Sequence, residues 1–210
     1  MARLGVLGGS FDPIHLGHLV LAEGVREALG LEKVLLVPAG TPPHKLNHSM
    51  AAAEDRMEMT QLAAEGNPFL EVSDIEVRRS GPSYTIDTIR ELADIHDGEV
   101  FLIVGGDTVS ELGTWKSVGE LLRICSLAVG MRPGAELPGR EELERKTGAG
   151  ADQILTNVVN IPQMDISSTD IRKRAREGRT IRYLVPERVR EYIEREGLYK
   201  RGSKGGDQPS

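Results

Sequence analysis

Short apolar runs alternate with longer segments of helical spacing along most of the chain, and this alternation restricts the fold more than any other feature. "LGVLG", "KVLLVP", "FLEVSDIEV", "VFLIVGG", "SLAVGM" and "ILTNVVNI" each have the length and composition of a strand. Strands separated by helical segments imply a parallel sheet with crossover helices. The spacing predicts a first helix from Gly17 or His18 that buries Leu19, Ala22, Val25, Ala28 and Leu29 and stops at Gly30. A second is expected over Met50 to Glu65. A third, from about Tyr84, carries Ile86, Ile89, Leu92 and Ala93 on one face, with Ser83 or Thr85 available as a cap. "ISSTDIRKRAREG" opens on Ser167-x-x-Asp170, a capping-box pattern, and has Gly178 as its stop; a last helix opens at Pro186. Arg132 to Ala151 reads as a loop with a short surface helix.

A chain of 210 residues supports one hydrophobic core, so residues 1–199 are expected to form one domain and 200–210, which lack apolar anchors, a disordered tail. The net charge of -6 argues against a broad nucleic-acid footprint, although the basic run "IRKRAREGRTIR" suits small polyphosphates. Cys125, the sole cysteine, excludes an intramolecular disulfide and reads as a buried structural thiol. Neither a signal-peptide stretch nor a run of about 20 apolar residues occurs, which points to a cytoplasmic protein with no membrane partner. The composition is compatible with a homo-oligomer.

The stretch "GGSFDPIHLGH" follows the first apolar run and leads into the first predicted helix. Gly8 and Gly9 leave backbone amides open to an anion, and the helix N-terminus adds its positive dipole. This is neither a dinucleotide fingerprint nor a Walker A loop, because GxGxxG and GK[ST] are both absent. His15 and His18 bracket Gly17 where the helix starts, and two imidazoles there can stabilise charge on a phosphate in transfer. Zinc held by His15, His18, His44 and His48 fits no common ligand spacing. Asp12 reads as a turn residue.

"GGSFDPIHLGH" resembles the first signature of the adenylyl/cytidylyltransferase superfamily, HxGH, and "ISSTDIR" resembles its second, ISSTxIR. "TPPHK", "SYTIDT", "GGD" at 105–107 and Trp115 resemble the nicotinate-nucleotide adenylyltransferase branch. The likeness runs from Leu4 to about Tyr199. It implies an α/β, Rossmann-like doubly wound parallel sheet, which agrees with the alternation of strands and helices.

The reaction implied by the resemblance is attack by the phosphate of nicotinic acid mononucleotide on the α-phosphorus of ATP, with Mg²⁺ carried on the ATP phosphates and no dedicated metal cage. His18, His15, Arg172 and Lys45 become the catalytic candidates. Gly8, Gly9, Ser10, Phe11, His15, His18, Ser167, Ser168, Thr169 and Arg172 are expected around ATP. Ser168 and Arg172, four apart, project from one helix face toward the leaving pyrophosphate. His44, Lys45, Tyr84, Thr85, Asp107, Trp115 and Lys116 are expected around the mononucleotide, with Trp115 as a platform for the pyridine ring and the backbone amides around Thr85 and at Trp115 or Lys116 as donors to the carboxylate. The rivals are an adenylyltransferase with a nicotinamide-mononucleotide or phosphopantetheine acceptor, and a non-catalytic nucleotide-binding regulator. Both intact signatures disfavour the regulator, which needs affinity alone.

Overall fold

Along β1 (Arg3–Gly9), Val6 faces one side of the sheet and Leu7 the other, and the same alternation sorts the remaining strands into two apolar layers. The computed structural model describes residues 2–42, 50–134, 136–148 and 150–200. β2 (Lys33–Pro38) pairs with β1 in parallel, from Leu4 opposite Lys33 to Gly9 opposite Pro38. β3 (Leu70–Val72), β4 (Glu99–Gly105), β5 (Ser126–Met131) and β6 (Val158–Asn160) complete a six-stranded parallel sheet in the order β3-β2-β1-β4-β5-β6. The chain therefore starts at the centre, runs outward to β3, and returns to build the other half, which is the doubly wound arrangement.

One face is covered by α1 (Leu16–Leu29), α2 (Ala53–Ala64), α8 (Ser168–Arg176) and α9 (Glu187–Arg195), which bring Ala22, Val25, Met59, Ile171 and Val189 against Leu36, Phe101 and Ile103. The other is covered by α3 (Thr85–Ile95), α5 (Val118–Ile124), α6 (Arg140–Thr147) and α7 (Ala151–Thr156), with Ile89, Leu121, Leu143 and Ile154 against Leu102, Val104 and Leu127. A four-residue helix, α4 (Gly106–Val109), follows β4 directly. At the strand order's reversal, the loops after β1 and β4 separate and leave a crevice at the C-terminal edge of the sheet. Among the described residues, no helix is long and apolar enough to cross a membrane.

Several boundaries differ from the sequence expectation. Only Leu70–Val72 of "FLEVSDIEV" pairs as a strand, and "ILTNVVNI" divides into the end of α7 and β6. Ala151 and Ile154 are three apart, so both are buried by one helical face, and an edge strand needs only the three residues left to it. Ala28 is exposed, because the buried stripe of α1 runs through Ala22 and Val25. The cap of α3 is Tyr84; the Ser83 hydroxyl accepts instead from the Thr41 amide at 3.1 Å, while the Ser83 amide donates to the Thr41 carbonyl at 2.9 Å. Cys125 ends α5 just before β5, where burial pushes its thiol up to about 12.

The loop leaving β2 passes so close to Glu76 that only glycine fits at position 40. A Cβ there would lie 2.2 Å from the Glu76 backbone oxygen, a clash of main chain with main chain that no side-chain rotation relieves. Gly40→Ala is expected to destabilise the fold by about 2 kcal/mol or more, read as a lower urea midpoint with an unchanged slope.

Candidate active site

The loop between β1 and α1 is packed inward along its length: Phe11, Asp12, Ile14 and His15 are all buried. Phe11 adopts a left-handed backbone, φ 44°, and its ring lies nearly perpendicular to that of His18 at a centroid separation of 5.1 Å. His15 caps α1 in an extended conformation, and its amide donates to Nδ1 of His18 at 3.2 Å. Nδ1 is thereby an acceptor, and neutral His18 carries its proton on Nε2. The two imidazoles stack with centroids 3.7 Å apart and planes 20° from parallel. Gly17 leaves room for this stack, since a Cβ there would press on the His15 ring at 3.1 Å from Nδ1.

His15 is 7 % exposed. Burial first, and then the positive charge of Arg132, lower its pKa from 6.5 to about 4, so it is neutral at pH 7. A neutral ring therefore lies against His18 and adds no repulsion if His18 gathers charge.

The second signature is built against the first. Ser167 caps α8 by accepting from the Asp170 amide at 3.1 Å. Ser168 and Arg172 share a helix face, as their spacing predicts, and both reach the first loop: the Ser168 hydroxyl donates to the Pro13 carbonyl at 2.9 Å, and Arg172 Nη1 donates to the Asp12 carbonyl at 2.8 Å. The same Nη1 lies 3.7 Å from Asp12 Oδ2, and Nη2 donates to Thr169 Oγ1 at 3.3 Å. The Ser168 proton thus faces the loop backbone, where the sequence reading directs it to a leaving group. Asp12 is more than a turn residue: its Oδ1 accepts from the Ala51 amide at 3.2 Å and from the Tyr199 hydroxyl at 2.8 Å.

Between these elements lies a cavity of about 360 Å³. Ser10, His15, His18, Ser168, Thr169 and Arg172 line one side, with Gly105, Gly106 and Asp107 after β4 and Arg132 after β5; Ile161, Pro162, Met164 and Ile166 form an apolar strip. Ser167 also lines it. Cationic and hydrogen-bonding groups beside an apolar strip suit a ligand with phosphates at one end and a flat ring at the other. Gly8, Gly9 and Phe11 shape the loop without lining the cavity.

The residues expected around the second substrate do not all join this cavity. Asp107 lines it with a side chain 83 % exposed, 4.0 Å from Arg132. Tyr84, Thr85, Trp115 and Lys116 form a separate group, in which Lys116 Nζ lies 4.1 Å above the Tyr84 ring and 3.1 Å from Asp87 Oδ2. Trp115 packs on the apolar layer under α3 and α5, and its surroundings are less polar than its sequence neighbours imply. Its amide donates to the Leu112 carbonyl at 3.0 Å, because a 3₁₀ turn closes there, and so it is not available to a carboxylate. His44 and Lys45 lie outside the described residues.

Sequence reasoning missed Arg56 and Arg132. Arg56 is 1 % exposed and donates to the carbonyls of Ser10 at 2.8 Å, Gly40 at 3.0 Å, Ala51 at 3.1 Å and Ala39, stitching three loop segments together. Its burial lowers its pKa, and the Asp12 charge opposes that shift. The signal available was position: Arg56 occupies the stripe of Met59, Thr60 and Ala63, where α2 faces the core. Arg132 could have been found as the cation one residue past a predicted strand end.

Residues 6–174 match the cytidylyltransferase-like family. A probable nicotinate-nucleotide adenylyltransferase of Thermoanaerobacter sp. (strain X514) is 46% identical over 206 residues, which cover 97% of each chain. One from Desulfitobacterium hafniense (strain Y51) is 45% identical over 202 residues, covering 94% of this chain and 96% of that one. The solved structure of Plasmodium falciparum nicotinic acid mononucleotide adenylyltransferase complexed with NaAD has the same fold, with a TM-score of 0.76 at 18% identity over 95% of this chain and 98% of that chain.

The buried state of His15 has a consequence in the absence of any ligand. The unfolded chain protonates His15 near pH 6.5 and the folded chain near 4, so the stability that neutral His15 contributes is complete above pH 6.5 and declines as pH falls toward 4. His15→Asn is expected to remove about 3 kcal/mol of the stability loss between pH 7 and pH 4, measured by urea unfolding of both proteins across that range.

Proposed function

The chain belongs to the cytidylyltransferase-like family and, within it, to the nicotinate-nucleotide adenylyltransferases, and from that premise we infer how its cavity works. It transfers the AMP moiety of ATP to nicotinic acid mononucleotide, releasing pyrophosphate and forming nicotinic acid adenine dinucleotide. The observation that carries the mechanism is the hydrogen bond from the His15 amide to His18 Nδ1, because it puts an N–H, and no lone pair, on Nε2, the nitrogen that meets the phosphate.

An oxygen of the mononucleotide phosphate forms a new bond to the α-phosphorus as the bond to the bridging oxygen of pyrophosphate breaks. His18 Nε2–H donates to the α-phosphate oxygens, whose charge rises at that moment. Arg172 and Arg132, both lining the cavity, offset the charge of the departing pyrophosphate. The strip of Ile161, Pro162, Met164 and Ile166 takes the adenine. Ser10, on the loop that Gly8 and Gly9 shape, holds the phosphate chain, and His44 and Lys45 bind the phosphate of the mononucleotide. Thr85 at the N-terminus of α3, together with Lys116, meets the nicotinate carboxylate, and Trp115 offers its ring to the pyridine.

Among the described lining residues Asp107 is the one carboxylate, and no described group of three or more His, Cys, Asp or Glu residues could cage a metal. That donor set fits Mg²⁺ held mainly by ATP phosphates and water, where it neutralises phosphate charge. A cytoplasmic setting goes with these substrates.

Pyrophosphate release measured across acceptors tests the assignment. Nicotinic acid mononucleotide is expected to exceed nicotinamide mononucleotide in kcat/KM by a factor of about 100, because donors placed for a carboxylate leave the carboxamide N–H groups unpaired. Comparable values would contradict the nicotinate assignment. In the same assay His18→Ala should lower kcat by about 100-fold or more with ATP affinity changed only a few-fold, as befits an interaction made chiefly in the transition state.

A further inference from the structure

The turn after α9 reaches into the loop that carries the first signature. After α9, Gly197 takes a left-handed conformation at φ 66°, and the Leu198 amide closes on the Ile193 carbonyl at 3.0 Å, which reverses the chain. Tyr199 is also left-handed, at φ 64°, a backbone state that a bulky side chain seldom takes. The result is a ring packed on the core beside α9 and a hydroxyl that donates to Asp12 Oδ1 at 2.8 Å, across 187 positions of sequence.

Among the described residues, that oxygen has one further donor. The Asp12 side chain is 3 % exposed, and the other donor to Oδ1 is the Ala51 amide at the longer distance of 3.2 Å. A carboxylate so deeply buried needs its donors to stay in place. Asp12 in turn fixes Arg172, through its own carbonyl and through Oδ2, at the cavity wall. Tyr192 on α9 makes a hydroxyl contact of the same length, 2.8 Å, but to Asp55 of α2, away from this chain of contacts.

We propose that Tyr199 is a positioning residue for the adenylyl-transfer site, acting through Asp12 to hold Arg172 in the geometry that receives ATP. The proposal rests on the reaction inferred above. It makes Tyr199 part of the site through Asp12.

The test compares Tyr199→Phe, Tyr192→Phe, Arg172→Ala and the Tyr199→Phe/Arg172→Ala pair in the full chain. Phenylalanine keeps both rings packed, and thermal melting checks that each variant is folded. Tyr199→Phe is expected to lower kcat/KM for ATP by about tenfold, whereas Tyr192→Phe, with a similar loss of melting temperature, stays within about twofold of the parent. In the Arg172→Ala background, Tyr199→Phe should lower the value by less than about twofold further. A Tyr199→Phe enzyme within twofold of the parent, equal losses for the two tyrosine variants, or losses that multiply in the double variant would each overturn the proposal. Calorimetry of ATP binding separates this from the reaction itself. If the parent chain adenylylates no mononucleotide, the reaction assignment fails, while the positioning role still requires Tyr199→Phe to weaken ATP and Tyr192→Phe to leave it unchanged.

Discussion

Asp12 brings a negative charge to a place where only 3 % of its side chain meets solvent, and the surrounding architecture is arranged around the need to stabilise it. Burial of an ion carries a penalty of several kcal/mol unless partners compensate. The partners here come from separate parts of the sequence: the Ala51 amide ahead of α2, Arg172 on α8 and Tyr199 after α9. The buried cation of Arg56 adds to the balance from α2, binding four backbone carbonyls and feeling the Asp12 charge. Two motifs separated by more than half the chain therefore become one wall, because the charge of the first needs the donors of the second.

That wall explains the division of labour between the histidines. His15 is buried, stacked and neutral, and its backbone fixes the tautomer of His18. His18 is held by the stack, by the Phe11 ring and by the Nδ1 hydrogen bond, so its Nε2–H has a settled direction before substrate arrives. Fixed donors of this kind need no reorganisation during reaction, which is the source of their effect on rate. A protonated Nε2 is also a poor nucleophile, so the same hydrogen bond disfavours adenylylation of the enzyme.

The parallel sheet was legible because its strands are short apolar runs bounded by glycine, proline or charge, as in "KVLLVP" and "SLAVGM", which became β2 and β5 with the same limits. "ILTNVVNI" misleads because Ile154 satisfies a helical stripe as well as a strand pattern, and local sequence cannot choose between them. In the candidate site, the signatures announce His15, His18, Ser168 and Arg172, and the spacing of Ser168 and Arg172 gives their common face. What that face meets is a tertiary fact: nothing near Arg172 indicates that it lies on Asp12, and nothing near Tyr199 indicates its reach. The Trp115 amide illustrates the opposite error, a donor that seems free until the turn at Leu112 claims it.

The role proposed for His18, a hydrogen-bond donor in direct transfer at the α-phosphorus, involves no bond from enzyme to substrate. The stereochemical course with ATP chiral at the α-phosphorus, as its α-thio analogue, distinguishes direct from two-step transfer. A single in-line displacement inverts the configuration, and inversion in the dinucleotide product is the predicted result. Retention would mean two displacements and a covalent adenylyl-enzyme, which would contradict the role assigned to the His15–His18 pair.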